Sequence, residues 1–256
     1  MLVLPSMSDP TNAGLPDYVL DPNAVLKDRA KWRHRRVPDY TRTRADYERT
    51  KKMSHAPGSL IFLVENLVKN WEIEASYKLN LAEWRTIDHT HYTFAVNGGP
   101  ATSGAHMLKV GTYNAIIAAN AYYSPEHSDF ASSHITFKSM MPTFAWEVLE
   151  VYSGPPQVAF RWRHWGEMKN NYEGFNDKGE RVQIPAHGRV LEIEGVTIAG
   201  VNDKLQLQKV ETWFDPLDMF RQMGPIEDDK AGSTNNTPVT PANVSGQCPM
   251  GFKTKL

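Results

Sequence analysis

Three stretches in the second half of the chain place ionisable side chains on faces that are otherwise apolar. In 157–168, alternation puts Val158, Phe160, Trp162 and His164 on one side and Arg161, Arg163 and Trp165 on the other. In 183–194, His187 and Arg189 share parity with Leu191 and Ile193. In 204–214 and just beyond, Leu205, Leu207, Glu211, Trp213 and Asp215 share parity, provided no bulge intervenes. Three neighbouring strands would then send an ionisable group into one concavity. A carboxylate beside an imidazole in a dry pocket holds the ring's tautomer and moves its pKa towards the working pH. Such a pair is the equipment of general acid–base catalysis. An apolar pocket with a few convergent polar groups is also the usual small-molecule site.

Each of these residues has a plainer reading. His164 could be a core histidine bonded to a backbone carbonyl. Asp215 precedes Pro216, with Leu217, Met219, Phe220 and Met223 at helical spacing, which is the signature of a helix N-cap followed by Pro at N1. Glu211 could face solvent after a bulge. His187 sits between Pro185 and Gly188, where a strand bends. Tyr113 falls on a helix, where core packing is the commoner outcome.

The elements that must position these residues follow from hydrophobic period. From Ser59, a reasonable N-cap, Leu60, Leu63, Val64, Leu67, Val68 and Trp71 form an amphipathic helical stripe. A short helix is expected over 44–52 and a longer one over about 103–120. A strand-like stretch, 88–97, ends at Asn97-Gly98-Gly99. Beyond residue 130 the period changes to two, and strands are expected over 133–140, 143–152, 157–168, 183–194 and 204–214. The sequence around Gly154-Pro155-Pro156 is a hairpin signal. Helices first and antiparallel strands afterwards imply an α+β domain with helices against one face of a curved sheet.

Composition limits the rest. The chain has 256 residues, 41% hydrophobic and 22% charged, so it can bury a full core without staples. Its net charge of −1 gives no bulk attraction to nucleic acid or to an anionic membrane, and neither is expected as a partner. Residues 27–52 nevertheless carry 11 basic side chains against 4 acids. That run reads as a solvated face or as a surface for an anionic ligand or partner. The single cysteine, Cys248, excludes an internal disulfide, a multi-Cys zinc site and an iron–sulfur cluster within one chain. His89 and His91 share one side of a strand, but two imidazoles are too few for zinc, and no metal is expected. The glycines of 97–111 lack the Gly-Lys-Ser/Thr ending of a phosphate loop. Cys248-Pro249 resembles the dipeptide of haem-responsive segments, a pattern that chance meets easily; no cofactor is expected. Proline, Asn and Asp crowd residues 1–30, which reads as an irregular extension, and 225–256 reads as a polar, disordered tail. No signal-peptide pattern and no membrane-length apolar run is found, so a cytoplasmic location is expected.

Three segments carry a family resemblance. The first runs from Pro57-Gly58-Ser59-Leu60 through Leu67-Val68-Lys69-Asn70-Trp71-Glu72, followed by Tyr92-Thr93-Phe94-Ala95-Val96-Asn97-Gly98. The second is EVLEVYSGPPQVAFRWRHWGEM, residues 147–168, and the third is WFDPLDMFRQMG, residues 213–224. Together they resemble the plant and fungal pathogen-related protein family, within the SnoaL-like group of NTF2-like folds. The likeness covers about 31–224, which is taken as one domain. It implies an α+β cone, helices packed into a strongly curved mixed sheet, with a ligand cavity at the open end. SnoaL-like enzymes include polyketide cyclases that use an acid–base pair without metal or organic cofactor. In that group, a strand motif ending His-x-Gly matches His164-Trp165-Gly166. The Asp before the closing (Leu/Met)-x-x-Gln-(Leu/Met)-Gly segment matches Asp215.

The expected function is therefore cofactor-independent acid–base chemistry on a mostly apolar molecule. Cyclisation, isomerisation or dehydration of a polyketide- or terpenoid-like intermediate would fit. His164 and Asp215 would form the acid–base pair. His187, Tyr113 and Glu211 would polarise a carbonyl or hydroxyl. Phe160, Trp162, Trp165 and Trp213 would supply the aromatic wall. The alternatives are a binding protein using the same cavity without turnover, and an interaction scaffold; NTF2-like domains often form homodimers.

Overall fold

The computed structural model describes residues 14–224, and the tail expected over 225–256, with Cys248, lies outside the described residues. The described residues open with a single helical turn, α1 (Asp17–Leu20), and a 3-10 turn (Ala24–Lys27). Helix α2 (Thr41–Thr50) and the long α3 (Leu60–Tyr77) follow, then strands β1 (Thr93–Val96) and β2 (Thr102–Ser103). Three helices come next: α4 (Gly104–Val110), α5 (Thr112–Ile116) and α6 (Phe130–Met140). The remainder is β3 (Ala145–Ser153), β4 (Gln157–Glu167), β5 (Tyr172–Phe175), β6 (Arg181–Ile184), β7 (Val190–Val201) and β8 (Leu207–Phe214), closed by α7 (Pro216–Met223).

Six strands form one sheet in the order β2-β1-β8-β7-β4-β3, while β5 and β6 make a separate hairpin. The β1–β8 pair is parallel and the other pairs of the large sheet are antiparallel. The sheet curls around α3, so side chains from β1, β3, β4, β7 and β8 meet residues of α2, α3, α5, α6 and α7 at one internal cavity. This is the α+β cone the sequence implies.

Helix α3 forms where its stripe predicts it, and Ser59 Oγ accepts the Phe62 N–H at 3.4 Å as N-cap. Its polar positions are not solvated. Glu65, Lys69, Asn70 and Glu74 are all buried. Asn70 accepts the Val25 N–H at 3.0 Å and donates to the carbonyls of Tyr18 at 2.9 Å and Asp21 at 2.7 Å. Those bonds dock the described part of the N-terminal segment, 14–30, with Val19 and Val25 in the core. Its order comes from α3, which is why no period of its own announces it. On the other side of α3, Glu65 Oε2 accepts the Val148 N–H at 2.9 Å, so a buried carboxylate closes the free edge of β3.

Three elements differ from expectation. Residues 133–140 belong to a helix, α6. Asp129 Oδ1 accepts the Ser132 N–H at 2.7 Å as N-cap, and Phe130, Ser133, Phe137 and Met140 are buried at helical spacing. Its β-branched Ile135 is left 68% exposed on the far side, which is what imitates a strand. The helix expected over 103–120 breaks at Gly111, whose φ of +94° no other residue adopts cheaply. The strand expected over 183–194 is two: the chain leaves the hairpin after Ile184, turns at Gly188 (φ +69°) and enters the large sheet at Val190. Among the described residues, no helix is long and apolar enough to cross a membrane.

Candidate functional site

The cavity has a volume of about 300 Å³. Its sheet wall is aromatic and aliphatic: Phe94, Trp146, Phe160, Trp162, Ile193 and Phe214 face inward. The β4 alternation places Phe160, Trp162 and His164 on this wall, as the sequence suggests. Trp162 lies across β7, where Gly195 leaves it room; a Cβ there would overlap the indole and sit 2.8 Å from the Trp213 carbonyl oxygen. Trp162 Nε1 donates to Thr197 Oγ1 at 2.9 Å, so the indole is fixed as well as buried.

His164 stacks on Phe144 with centroids 3.4 Å apart. Burial pulls its pKa down to about 3, so the imidazole is neutral at neutral pH. Glu72 and Lys138 are close enough that their opposed charges act on it.

The polar floor opposite this wall is an ion pair. Lys138 Nζ, from α6, donates to Glu72 Oε1, from α3, at 3.1 Å. Tyr40 donates to Glu72 Oε2 at 2.5 Å and Ser76 Oγ to Oε1 at 3.0 Å. The Lys138 ammonium also lies over the rings of Tyr77 (5.1 Å) and Tyr40 (5.7 Å). Burial alone would raise the Glu72 pKa; the Lys138 charge and the Tyr40 bond outweigh it and hold it at about 2. Burial likewise lowers Lys138, but Glu72 wins and keeps it cationic, well above its ordinary value. Glu72 and Lys138 keep 36% and 32% of their side-chain exposure, and both line the cavity. Tyr113 completes this end, stacked on Phe137 at 4.4 Å, with its phenol held neutral by burial. Asp39, also lining the cavity, is exposed and marks its rim.

Asp215 is not in this cavity. It caps α7, accepting the Leu217 N–H at 2.9 Å, and pairs with Arg221 on the surface, 54% exposed. The expected His164–Asp215 pair is therefore not assembled. The cause is a register shift in β8: Ala199 faces Val210 but Val201 faces Leu207. After that bulge, Val210, Thr212 and Phe214 line the cavity, while Glu211 and Trp213 turn outward. Glu211 pairs with Lys209 at 3.0 Å, and Trp213 is 37% exposed. His187 precedes β7 rather than continuing it. Its Nδ1 accepts the Arg189 N–H at 3.0 Å and its Nε2 donates to the Gln222 carbonyl at 3.2 Å, so both nitrogens are engaged outside the cavity. Trp165 is buried on the opposite face of the sheet, against Tyr47, with Nε1 donating to Thr50 Oγ1 at 2.8 Å.

Sequence reasoning missed Glu72 and Lys138. Glu65, Lys69, Glu72 and Ser76 are spaced as one polar stripe along α3, flanking the apolar one, and that stripe is the available signal. Lys138 was hidden by reading α6 as a strand. His89 and His91 fall in the turn before β1, where His91 Nδ1 meets Asp88 at 3.1 Å. Among the described residues, no three His, Cys, Asp or Glu side chains are grouped to hold a metal ion.

An anionic carboxylate, a fixed ammonium, a neutral imidazole and a neutral phenol at one end of an apolar cavity can orient a ligand's oxygen and move a proton. No family model matches the chain. Among curated proteins it is 30% identical, over 192 residues, to the pathogen-related protein of Hordeum vulgare, covering 72% of this chain and 78% of that one. The chain belongs to the pathogen-related protein family. Among solved structures it is similar to a proposed SnoaL-like polyketide cyclase from Jannaschia sp. CCS1, at 13% identity and a TM-score of 0.36, covering 67% of this chain and 96% of that one. It is also similar to IdmH, a proposed polyketide cyclase from Streptomyces antibioticus, at 16% identity and a TM-score of 0.36, covering 62% and 97%. Likenesses at that level carry no chemistry across.

Proposed function

We propose that this protein acts by cofactor-independent acid–base chemistry on a mostly apolar small molecule that carries a carbonyl or hydroxyl oxygen. Cyclisation, isomerisation or dehydration of a polyketide- or terpenoid-like intermediate fits the cavity, as the sequence resemblance implies. The observation that carries the reading is the Glu72–Lys138 pair, 3.1 Å apart, at the polar end of an aromatic cavity beside His164. Glu72 takes the role the sequence assigned to Asp215. The ligand's oxygen approaches Lys138, whose ammonium stabilises negative charge developing there. That contact draws Lys138 away from Glu72, and the carboxylate becomes more basic as its counter-charge is shared. Glu72 then accepts a proton from carbon. Neutral His164 and Tyr113 hydrogen-bond the same oxygen, and protonated Glu72 returns its proton to the product, at carbon or at a leaving hydroxyl. Proton transfer of this kind contributes about 10²–10⁴-fold.

A second reading, a binding protein without turnover, has one observation in its favour. Glu72 already accepts from Tyr40, Ser76 and Lys138, and a carboxylate held near a pKa of about 2 is a weak base. Comparative metabolite profiling of the producing organism, with and without the gene, separates the two. Enzyme action predicts an accumulated precursor that wild type relieves and Glu72→Gln does not. Full rescue by Glu72→Gln would favour the binder. Homodimer formation is a further proposal, supported by Val196 and Trp213, cross-strand partners that are 36% and 37% exposed on the convex face.

A further inference from the structure

The segment between the first helical turns and α2, together with the first turn of α2, carries exposed cations that neither the cavity nor the fold uses. Arg29, Lys31, Arg35, Arg36 and Arg42 are exposed and form no ion pair with a carboxylate among the described residues, whereas the half-buried Arg33 lies over the Phe130 ring, 3.4 Å from its centroid. Three carboxylates lie beside these cations, and each is already engaged; Glu83 Oε2 accepts the Lys31 N–H at 3.1 Å. Asp28 is taken by Lys78 at 2.6 Å and Arg85 at 3.0 Å, and Asp39 accepts the Thr41 N–H at 2.8 Å. The backbone beneath the cations is fixed. Trp32 is buried and bridges to Lys78, Arg33 N donates to the Tyr77 carbonyl at 2.8 Å, and Leu79 N donates to the Lys31 carbonyl at 2.9 Å. Arg35 is held at φ +57°, a left-handed conformation costly for a non-glycine residue. Two aliphatic side chains stand exposed within the same belt, Val37 at 44% and Leu79 at 46%.

This belt adjoins the cavity. Asp39, Tyr40, Thr43 and Arg44 continue directly from it and line the cavity, with Asp39 at the rim. We infer that the belt docks the cavity's mouth onto an anionic lipid surface, the cations meeting headgroup phosphates and carboxylates and Val37 and Leu79 entering the interface. The near-zero net charge does not oppose this, because attraction within a Debye length depends on the local patch. Cations spread along an exposed turn match an extended anionic surface better than a single anion. The reason for such docking rests on the reading of the cavity above: an apolar ligand concentrates in a bilayer and would be drawn from it.

Flotation of the full chain with vesicles tests this. Vesicles of phosphatidylcholine alone are compared with 7:3 phosphatidylcholine–phosphatidylserine, at low and at physiological salt. The expected result is binding to the anionic vesicles only, weakened by salt, and reduced at least about tenfold in Arg35→Glu/Arg36→Glu. A matched reversal elsewhere, Lys109→Glu/Lys178→Glu, should retain most of the binding; both lysines are exposed. Equal binding to both vesicle types, or equal loss in both double variants, overturns the inference. Thermal unfolding and cavity occupancy by an apolar fluorescent dye, measured without vesicles, should be unchanged in every variant. Failure of the dye to bind wild type counts against the cavity reading and not against docking.

Discussion

Glu72 Oε1 and Lys138 Nζ meet at 3.1 Å across the interior of the cone, joining α3 to α6. The two residues are distant in sequence, and α3 also brings Val68, Trp71 and a second cation, Lys69, to the cavity. Opposite charges so placed cost desolvation, which their mutual attraction and the bonds from Tyr40 and Ser76 offset. A cavity needed only for packing would be filled with aliphatic side chains. Polarity retained here is the physical basis for assigning the site.

Removing one partner should cost more than removing both. Lys138→Met leaves Glu72 beside Tyr40 without its counter-charge, and its pKa should rise from about 2 towards or above the ordinary range. The double variant Glu72→Gln/Lys138→Met should unfold at a higher temperature than Lys138→Met alone. A double-mutant cycle read by thermal unfolding checks the coupling.

Asp215→Ala should behave as a helix-cap variant. Loss of the bond to Leu217 N–H should cost about 1 kcal/mol of stability. Ligand affinity and turnover should stay near wild type, because Asp215 lies outside the cavity. Loss of activity with an unchanged melting temperature would contradict that placement.

How much of this was legible in the sequence depends on period and register. The β4 alternation gave Phe160, Trp162 and His164 correctly, because an eleven-residue strand paired on both sides keeps its faces. The same logic failed in β8, since one extra residue near 208–209 reverses every side chain after it, and nothing in the local sequence announces it. That reversal alone moved Glu211, Trp213 and Asp215 out of the site. Lys138 was lost differently: Ile135 and Thr136 suggest a strand, while the Asp129 cap and the spacing of Phe130, Ser133 and Phe137 specify the helix. The Asp215-Pro216 helix start was legible from local chemistry and stands as read.

Gly195→Ala should reshape the cavity. The new methyl would collide with the Trp162 ring and crowd the Trp213 carbonyl, both fixed by the sheet. Strain of this kind typically costs about 1–3 kcal/mol. Apolar-dye binding should weaken or change its emission maximum, and a co-substitution Trp162→Phe should recover much of the stability.

Acid should destabilise the fold in two stages. His164 and His134 have pKa values lowered by burial to about 3 and about 4, against an ordinary 6.5. The unfolded chain therefore binds protons that the folded chain refuses, and stability falls as pH drops below about 6.5. Glu72, held at about 2 against 4.5, adds its loss from about pH 4.5 downward, as the unfolded carboxylate protonates first. His164→Phe should flatten the upper stage in melting temperature against pH. An unchanged slope between pH 6.5 and 4 would show that His164 is not held neutral.

If Glu72 moves a proton in the cavity, as proposed, rather than merely ordering a ligand, hydrogen at the substrate's carbon should exchange with solvent. The most direct measurement incubates purified protein with the metabolite that accumulates without it, in deuterium oxide. Deuterium entering the substrate or product at carbon is followed by mass spectrometry, and affinity is measured alongside. Wild type should show exchange or turnover, Glu72→Gln should lose about 10²-fold or more, and its affinity should stay within a few-fold of wild type. Tight binding without exchange or turnover in wild type, or equal rates in wild type and Glu72→Gln, would contradict that role for Glu72.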